Sequence, residues 1–417
     1  MDRAILHCDM NNFFASVECM LDKSLRDKPV VVCGNEKERH GIVLAKNYIA
    51  KPYGINVGDP IWQAKNKCKD LVVVSTPHYD EYSIYSKKAF EIYSRYTDIV
   101  EPFGIDECWL DVTNSQKLFG DSKSIADNIR ETIKKELDLT ISVGVSFNKI
   151  FAKLGSDIKK PDATTVITKE NYKEIVWPLP ADALMGVGRN TIKELDKHFI
   201  HTIGDIANEK PETLEYWLGQ SGLMLYEYAN GLDDSPVIKS EEAEEVKSIS
   251  HGITTKRDLE NNDEVWKVML ELAQEIAYKL RKKELRATVV SVSIRDTDLM
   301  WQQFQRRLKN SEQTAIGIAK SAFELFKQRY NFEKKVRNVT ISANSLIKEG
   351  TPEAISIFDD IKNKDRIEKA EACMESINDR YGENIVKNAT LMDTDIMPKA
   401  RRKIRYGKYK EKNKDSV

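Results

Sequence analysis

The stretch GIDECWLDV, residues 104–112, decides how the chain is read, because it sets two acids side by side inside an apolar run. Ile105, Cys108, Trp109, Leu110 and Val112 want a core; Asp106, Glu107 and Asp111 do not. An unpaired buried charge is expensive, so adjacent carboxylates at a strand junction call for a partner. A divalent cation is the most economical one, since Mg²⁺ takes carboxylate oxygens together with substrate phosphates. Asp9 closes a first predicted strand, Ala4–Asp9. If 4–9 and 109–112 are neighbours, Asp9, Asp106 and Glu107 meet, and three acids hold two Mg²⁺ ions about 4 Å apart, the arrangement used in phosphoryl transfer. Spacing by itself favours a plainer reading: a hairpin turn with exposed acids and an unrelated Asp near the N-terminus.

Outward from that stretch, the apolar pattern alternates strands and helices. A helix is expected over 13–20, strands over 29–34 and 72–76, and a strand followed by a helix over 42–55, ended near Pro52 and Gly54. Helices are predicted over 80–96, 122–137 and 147–160, with a strand at 140–146. Tyr82, Tyr85, Ala89, Ile92 and Tyr93 mark one apolar face of the 80–96 helix. Residues 168–232 read as all-helical. The acidic run SEEAEEVKS (240–248) has no apolar period and reads as a linker. Beyond it the order is strand (249–255), helix (263–283), strand (287–295), strand (301–308), helix (311–330) and strand (336–345), a βαββαβ unit. Residues 349–417 form a tail with one amphipathic helix over about 362–381 and a basic end. The fold class is therefore α+β and multidomain, as 417 residues also suggest.

The composition excludes little: 41% hydrophobic and 31% charged residues are ordinary for a soluble protein. No apolar run approaches the roughly 18 residues of a membrane span, and MDRAILHCDM lacks the profile of a signal peptide. The six cysteines are scattered without a CxxC pair, as expected of reduced thiols in a cytoplasmic protein. The net charge is −1, but its distribution is uneven. Residues 248–350 carry 19 Lys+Arg against 13 Asp+Glu, residues 398–417 carry 9 against 2, and 233–246 carry six acids and one Lys. Basic segments of this kind can hold a polyanion locally.

The segments DMNNFFASVE (9–18), LAKNYIAKPYGI (44–55), GIDECWLDV (104–112), SVGVSFNKIFAKLGSDIKKPD (142–162) and LMGVGRNTIKEL (184–195) resemble, in order and spacing, the motifs of the Y-family DNA polymerases, and most of all the DNA polymerase IV branch. The likeness covers residues 1–345. It implies a right-hand-like architecture: palm at 1–22 and 78–167, small fingers at 23–77, a helix-hairpin-helix thumb at 168–232, a linker at 233–247, the little finger at 248–348 and a tail at 349–417. It implies template-directed addition of deoxynucleotides to a primer 3′-OH, with low fidelity, short synthesis bursts, no proofreading and a part in lesion bypass. Asp9, Asp106 and Glu107 would be the catalytic metal ligands, joined by the Met10 carbonyl, for two Mg²⁺ ions with Mn²⁺ as an alternative.

In the same resemblance Phe14 is the steric gate against a ribose 2′-OH, and Phe13, Phe14 and Ala15 bring backbone to the triphosphate, with the Phe13 side chain nearer the core. Tyr48, Lys51 and Lys160 are the expected triphosphate contacts; Lys51 stands where the family commonly has Arg, and offers a point charge in place of a bidentate fork. Ile42 and Leu44 fall at the roof over the nascent base pair, unless they are ordinary strand core.

MGVGRN reads as a helix-hairpin-helix turn in which Gly186 and Gly188 let amides approach a DNA phosphate. In the βαββαβ unit, Val290, Val292, Ile294, Val339, Ile341 and Ala343 should face the helices. Ser291, Ser293, Arg295, Asn338, Thr340 and Ser342 should face out, with Gln303, Gln305 and Arg307 from the middle strand. Such a polar face suits a DNA backbone, with binding that falls steeply with salt, although any half-buried sheet has a solvated face. AISIF (354–358) is similar to a sliding-clamp-binding peptide, with Ile355, Ile357 and Phe358 as anchors and Ala354 in place of the usual Gln. The expected partners are primer–template DNA, deoxynucleoside triphosphates and the sliding clamp, with no membrane, and the chain acting as a monomer. The rival readings are a non-catalytic DNA scaffold, which the intact acids oppose, and a palm-like nuclease or cyclase, which would not need the thumb and little finger together.

Overall fold

The computed structural model describes residues 3–34, 41–75, 77–239, 246–353, 361–382, 385–391 and 396, which fall into two compact units, one within 3–239 and one within 246–396. The first unit runs β1 (Ile5–Met10), α1 (Phe13–Leu21), β2 (Val30–Cys33), β3 (Val43–Lys46), α2 (Ile61–Lys67), β4 (Val72–Val74), α3 (Tyr79–Tyr93), β5 (Val100–Pro102) and β6 (Glu107–Asp111). It continues through α4 (Gln116–Phe119), α5 (Ser122–Leu137), β7 (Ile141–Ser146), α6 (Lys149–Ile158) and β8 (Thr164–Val166) to five short helices, α7 (Tyr172–Val176), α8 (Arg189–Lys197), α9 (Ile203–Asn208), α10 (Pro211–Leu218) and α11 (Gln220–Ala229).

The strands β5-β6-β1-β7-β8 form one sheet with β1 at its centre. Successive side chains of a strand point to opposite faces, and β1 uses both. Leu6, Cys8 and Met10 join the core made with α1, α3 and α5. Ile5 packs on the other face with Trp109 and Ala152 of α6. His7 and Asp9 share the Ile5 face by the same alternation, which is what aims them toward α6. That helix lies unusually close to the sheet: a Cβ added to Gly144 would meet the Ala152 carbonyl oxygen at 1.9 Å.

A small sheet, β3-β2-β4, is inserted between α1 and α3 and closes over Ala64 of α2. The helix expected after β3 is not one. Residues 47–50 turn and only Lys51–Tyr53 make a short 3-10 helix. The Asn47 side chain accepts from the Val30 and Ala50 amides and so competes with helix formation. Pro52 lacks a donor, and Gly54 ends the segment at φ 70°.

The second unit runs β9 (Ser248–Leu259), α12 (Asn262–Lys282), β10 (Leu285–Asp296), β11 (Trp301–Glu312), α13 (Ala315–Arg329), β12 (Val336–Lys348) and α14 (Ile361–Tyr381). Its antiparallel sheet has the order β11-β10-β12-β9. Val290, Val292, Ile294, Val339, Ile341 and Ala343 all point into the core beneath α12 and α13, as their alternation requires. The strand taken as the middle one, β11, is an edge strand; β10 and β12 are central.

The amphipathic helix of the tail, α14, is docked on this unit. Arg281 bonds Glu375 and lies 2.9 Å from Glu371, Arg286 lies 2.7 Å from Glu368, and Glu371 also accepts from the Ala315 amide at the start of α13. Acids at a helix N-terminus are favourably placed there.

Candidate active site and nucleic-acid interface

Antiparallel pairing of β1 with β6 sets Cys8 opposite Cys108 and Asp9 opposite Glu107. The Met10 amide donates to the Asp106 carbonyl (3.0 Å), which fixes the β5–β6 turn against the end of β1. Ser86 of α3 holds the same turn by donating to the Ile105 carbonyl. The backbone thus brings positions 9, 106 and 107 to one end of the sheet. Asp111, at the other end of β6, accepts from the Thr113 amide and is a turn partner.

Charge is concentrated there at a cost. Burial pushes the Asp9 carboxyl up to about 6 against the pull of Lys160. Burial, with Glu107 beside it, also raises Asp106. Glu107 goes the other way: the adjacent His7 imidazole and the Lys153 ammonium hold it down at about 2, with burial opposing. Lys153 bonds Glu107, and Lys160 lies 2.8 Å from Asp9 and 2.9 Å from Asp157. Burial disfavours the Lys160 charge, yet the Asp9 and Asp157 carboxylates push its pKa up to about 12. The donor set, carboxylate oxygens of one buried and two half-buried acids, fits a hard divalent cation. Among the described residues no three His, Cys, Asp or Glu side chains are already gathered as a ligand set; Asp9 and Glu107 are turned to the two lysines.

His7 and Lys153 were not singled out from the sequence. His7 is fully buried, bonds Ser156 (2.8 Å) through Nδ1, and sits with Nε2 3.3 Å from Glu107 Oε2, outside hydrogen-bond geometry. Period-two alternation with Asp9 was the available signal. Asn11 is a third such residue: buried, it accepts from the Asp162 amide (2.9 Å) and donates to Ser142 (3.0 Å). It thereby ties the turn after Lys160 to the end of β1.

Around the acids, Phe13 is buried in the core and Phe14 is half-buried. Helix α1 begins beside them with no side-chain cap, so the amides of its first turn are free of helix partners. Tyr48 is half-buried and within the electrostatic reach of Lys160 and Asp9; burial raises its pKa. Lys51 is exposed, its ammonium 5.8 Å from the Tyr48 ring centre. Tyr48 thus has Lys51 beside its ring and stands within reach of Lys160 and Asp9. Ile42 is 42% exposed and Leu44 half-buried, whereas Val43 between them is in the core. Neither Ile42 nor Leu44 belongs to the core of that strand.

In the helical part, Gly186 has φ 96° and Gly188 caps α8 with open space around its Cα, so backbone there is accessible to a phosphate. In the second unit the open sheet face is as expected with two corrections. Ser291 is 2% exposed: on a central strand it lies beneath its neighbours, and Asn344 donates to its hydroxyl (2.7 Å). It offers nothing to DNA. Arg295 is committed locally, donating to the Leu299 carbonyl with its guanidinium 5.6 Å from the Trp301 ring centre. Ser293, Thr340 and Ser342 are half-exposed and Arg307 is exposed. Ile355, Ile357 and Phe358 lie outside the described residues.

Residues 8–157 match the impB/mucB/samB family, and residues 246–357 match the C-terminal domain of that family. The chain is 46% identical over 392 residues to the DNA polymerase IV of Acetivibrio thermocellus, covering 94% of this chain and 98% of that protein. It is 37% identical to the DNA polymerase IV 1 of Bacillus subtilis, covering 93% of each. Its fold is similar to that of a Y-family DNA polymerase chimera, with a TM-score of 0.73 and 24% identity over 83% of this chain and 100% of that one.

Proposed function

Because the chain belongs to the impB/mucB/samB family, in the DNA polymerase IV branch of the Y-family DNA polymerases, and is a translesion DNA-directed DNA polymerase, we propose that Asp9, Asp106 and Glu107 are its catalytic acids. Enzymes of this family act on primer–template DNA and deoxynucleoside triphosphates and depend on a divalent metal. The observation that carries the assignment is the convergence of the three acids where β1 pairs with β6, two of them raised by burial.

Two Mg²⁺ ions, or Mn²⁺, would be held by Asp9, Asp106, Glu107 and the Met10 carbonyl, lowering the pKa of the primer hydroxyl and offsetting phosphate charge. The remaining roles belong to the chain. Lys160 and Lys153 hold the acids ionised, and Lys160, with Tyr48 and Lys51, grips the triphosphate once that anion offers it a better partner than Asp9. The uncapped first turn of α1 presents the Phe13, Phe14 and Ala15 amides to phosphate oxygens. The Phe14 ring excludes a ribose 2′-OH. Ile42 and Leu44 form a tight lid over the base pair. The DNA backbone rests on Gly186, Gly188, Ser293, Arg307, Thr340 and Ser342.

The palm comprises 1–22 and 78–167, the fingers 23–77, the thumb 168–232 and the little finger 248–348. Synthesis is distributive, of low fidelity and without proofreading. The enzyme works as a cytoplasmic monomer, assisted by the sliding clamp through 354–358; among the described residues no helix is long and apolar enough to cross a membrane.

Titrating Mn²⁺ by its free-ion electron paramagnetic resonance signal, with primer–template and a non-hydrolysable deoxynucleotide present, tests the ligand set. Wild type should take up two ions and Asp106→Ala fewer. Equal uptake by the two proteins would reject Asp106 as a ligand.

A further inference from the structure

Glu18 is 3% exposed and has no task in the chemistry above. A buried acid persists only where donors satisfy it, so its partners show what it is for. It stands four residues after Phe14 on α1, and residues so spaced share one helix face. That face meets the start of α3. Glu18 Oε1 accepts from the Tyr82 hydroxyl and from the His78 amide (3.0 Å), and Oε2 lies 2.9 Å from His78 Nδ1. The Tyr82 ring, fully buried, stacks on Phe14 with centroids 4.4 Å apart and planes 14° apart, while Tyr79 meets Phe14 edge-on at 6.3 Å. Burial and the neighbouring carboxylate both raise the Tyr82 pKa, so the phenol keeps its proton and donates it.

Three residues therefore form one chain: a buried carboxylate fixes a phenol, and the phenol's ring backs one face of the half-buried Phe14. We propose that Glu18 is a positioning residue for sugar discrimination. By anchoring Tyr82 it denies the Phe14 ring the small retreat that would admit a 2′-hydroxyl. A ring held on one face by apolar packing alone can slide, because such packing has no direction. A hydrogen bond to a charged acceptor is directional and stronger than a neutral one. The inference rests on the reading of Phe14 as the gate, and the test separates the two.

The measurement is the ratio of kcat/KM for a deoxynucleotide to that for the matching ribonucleotide, in single-nucleotide extension by the full chain. Phe14→Ala should collapse the ratio. Glu18→Ala should lower it on the order of tenfold, equivalent to about 1.4 kcal/mol, through a rise in ribonucleotide kcat/KM. Glu18→Gln, which keeps an acceptor oxygen, should restore most of it. A purely structural role for Glu18 would depress both substrates together and leave the ratio where it was. If Phe14→Ala loses discrimination and Glu18→Ala keeps it, the gate stands and the inference falls. If Phe14→Ala keeps discrimination, the gate reading falls and takes the inference with it. Should Glu18→Ala fail to fold, Tyr82→Phe decides: it removes only the hydroxyl, and an unchanged ratio in that variant overturns the proposal.

Discussion

Asp9 and Glu107 face each other across two paired strands, yet one is raised to about 6 and the other lowered to about 2. The difference lies in their neighbours. Asp9 has one lysine against deep burial; Glu107 has a histidine and a lysine and is less enclosed. The acids draw notice in the sequence as adjacent charges in an apolar run, but spacing by itself favours a turn with exposed acids, and only the resemblance to a polymerase family joins them to Asp9. Their partners were not legible. Alternation says that His7 shares a face with Asp9, but nothing in one dimension says that Lys153, some 46 residues from Glu107, will reach it. At this scale the lid residue gives a clear expectation. Ile42 is exposed and supports no core, so Ile42→Ala should leave stability within about 0.5 kcal/mol. If its side chain closes over the base pair, the same change should improve extension past a bulky template adduct. Unchanged bypass in primer-extension assays would remove Ile42 from the lid.

At the scale of elements, helix α6 does most to build the site. It supplies Lys153 and Ser156, ends two residues before Lys160, and sits against β7 at backbone contact. Gly144 makes that approach possible, and a Cβ added to Gly155 of α6 would in turn meet the Gly144 Cα at 3.1 Å. Any side chain at 144 must push the helix away and carry both lysines with it. Gly144→Ala should cost at least about 2 kcal/mol, in the range of core overpacking, read as a lowered midpoint in urea. Gly188→Ala is the control: open space surrounds that Cα and its φ is −92°, so its stability should hold. Equal effects would show that α6 does not press on the sheet as described. Strands and long helices were legible because their apolar periods are strong. The segment after β3 was misread since Asn47 satisfies backbone amides with its side chain, an effect that apolar periodicity does not register. Likewise, the order of strands along the chain did not reveal that β11 would lie at an edge, because strand pairing is settled by long-range contacts.

Across the whole molecule, the two family-model matches and the two compact units divide the chain in the same way, with an acidic segment between. The docked α14 belongs to the second unit although residues 246–357 complete the match to the family there. Its Glu368, Glu371 and Glu375 recur at three- and four-residue spacing, which was visible, but the arginines that receive them lie some 80 to 90 residues earlier. The central claim is that the acids at the β1–β6 junction perform nucleotidyl transfer. The measurement that tests it most directly is primer extension by the purified chain on an undamaged primer–template with Mg²⁺, beside Asp106→Ala. The account predicts addition of a few nucleotides per binding event, directed by the template, and loss of at least about a thousandfold in rate in the variant. Template-directed extension that survives Asp106→Ala would contradict it.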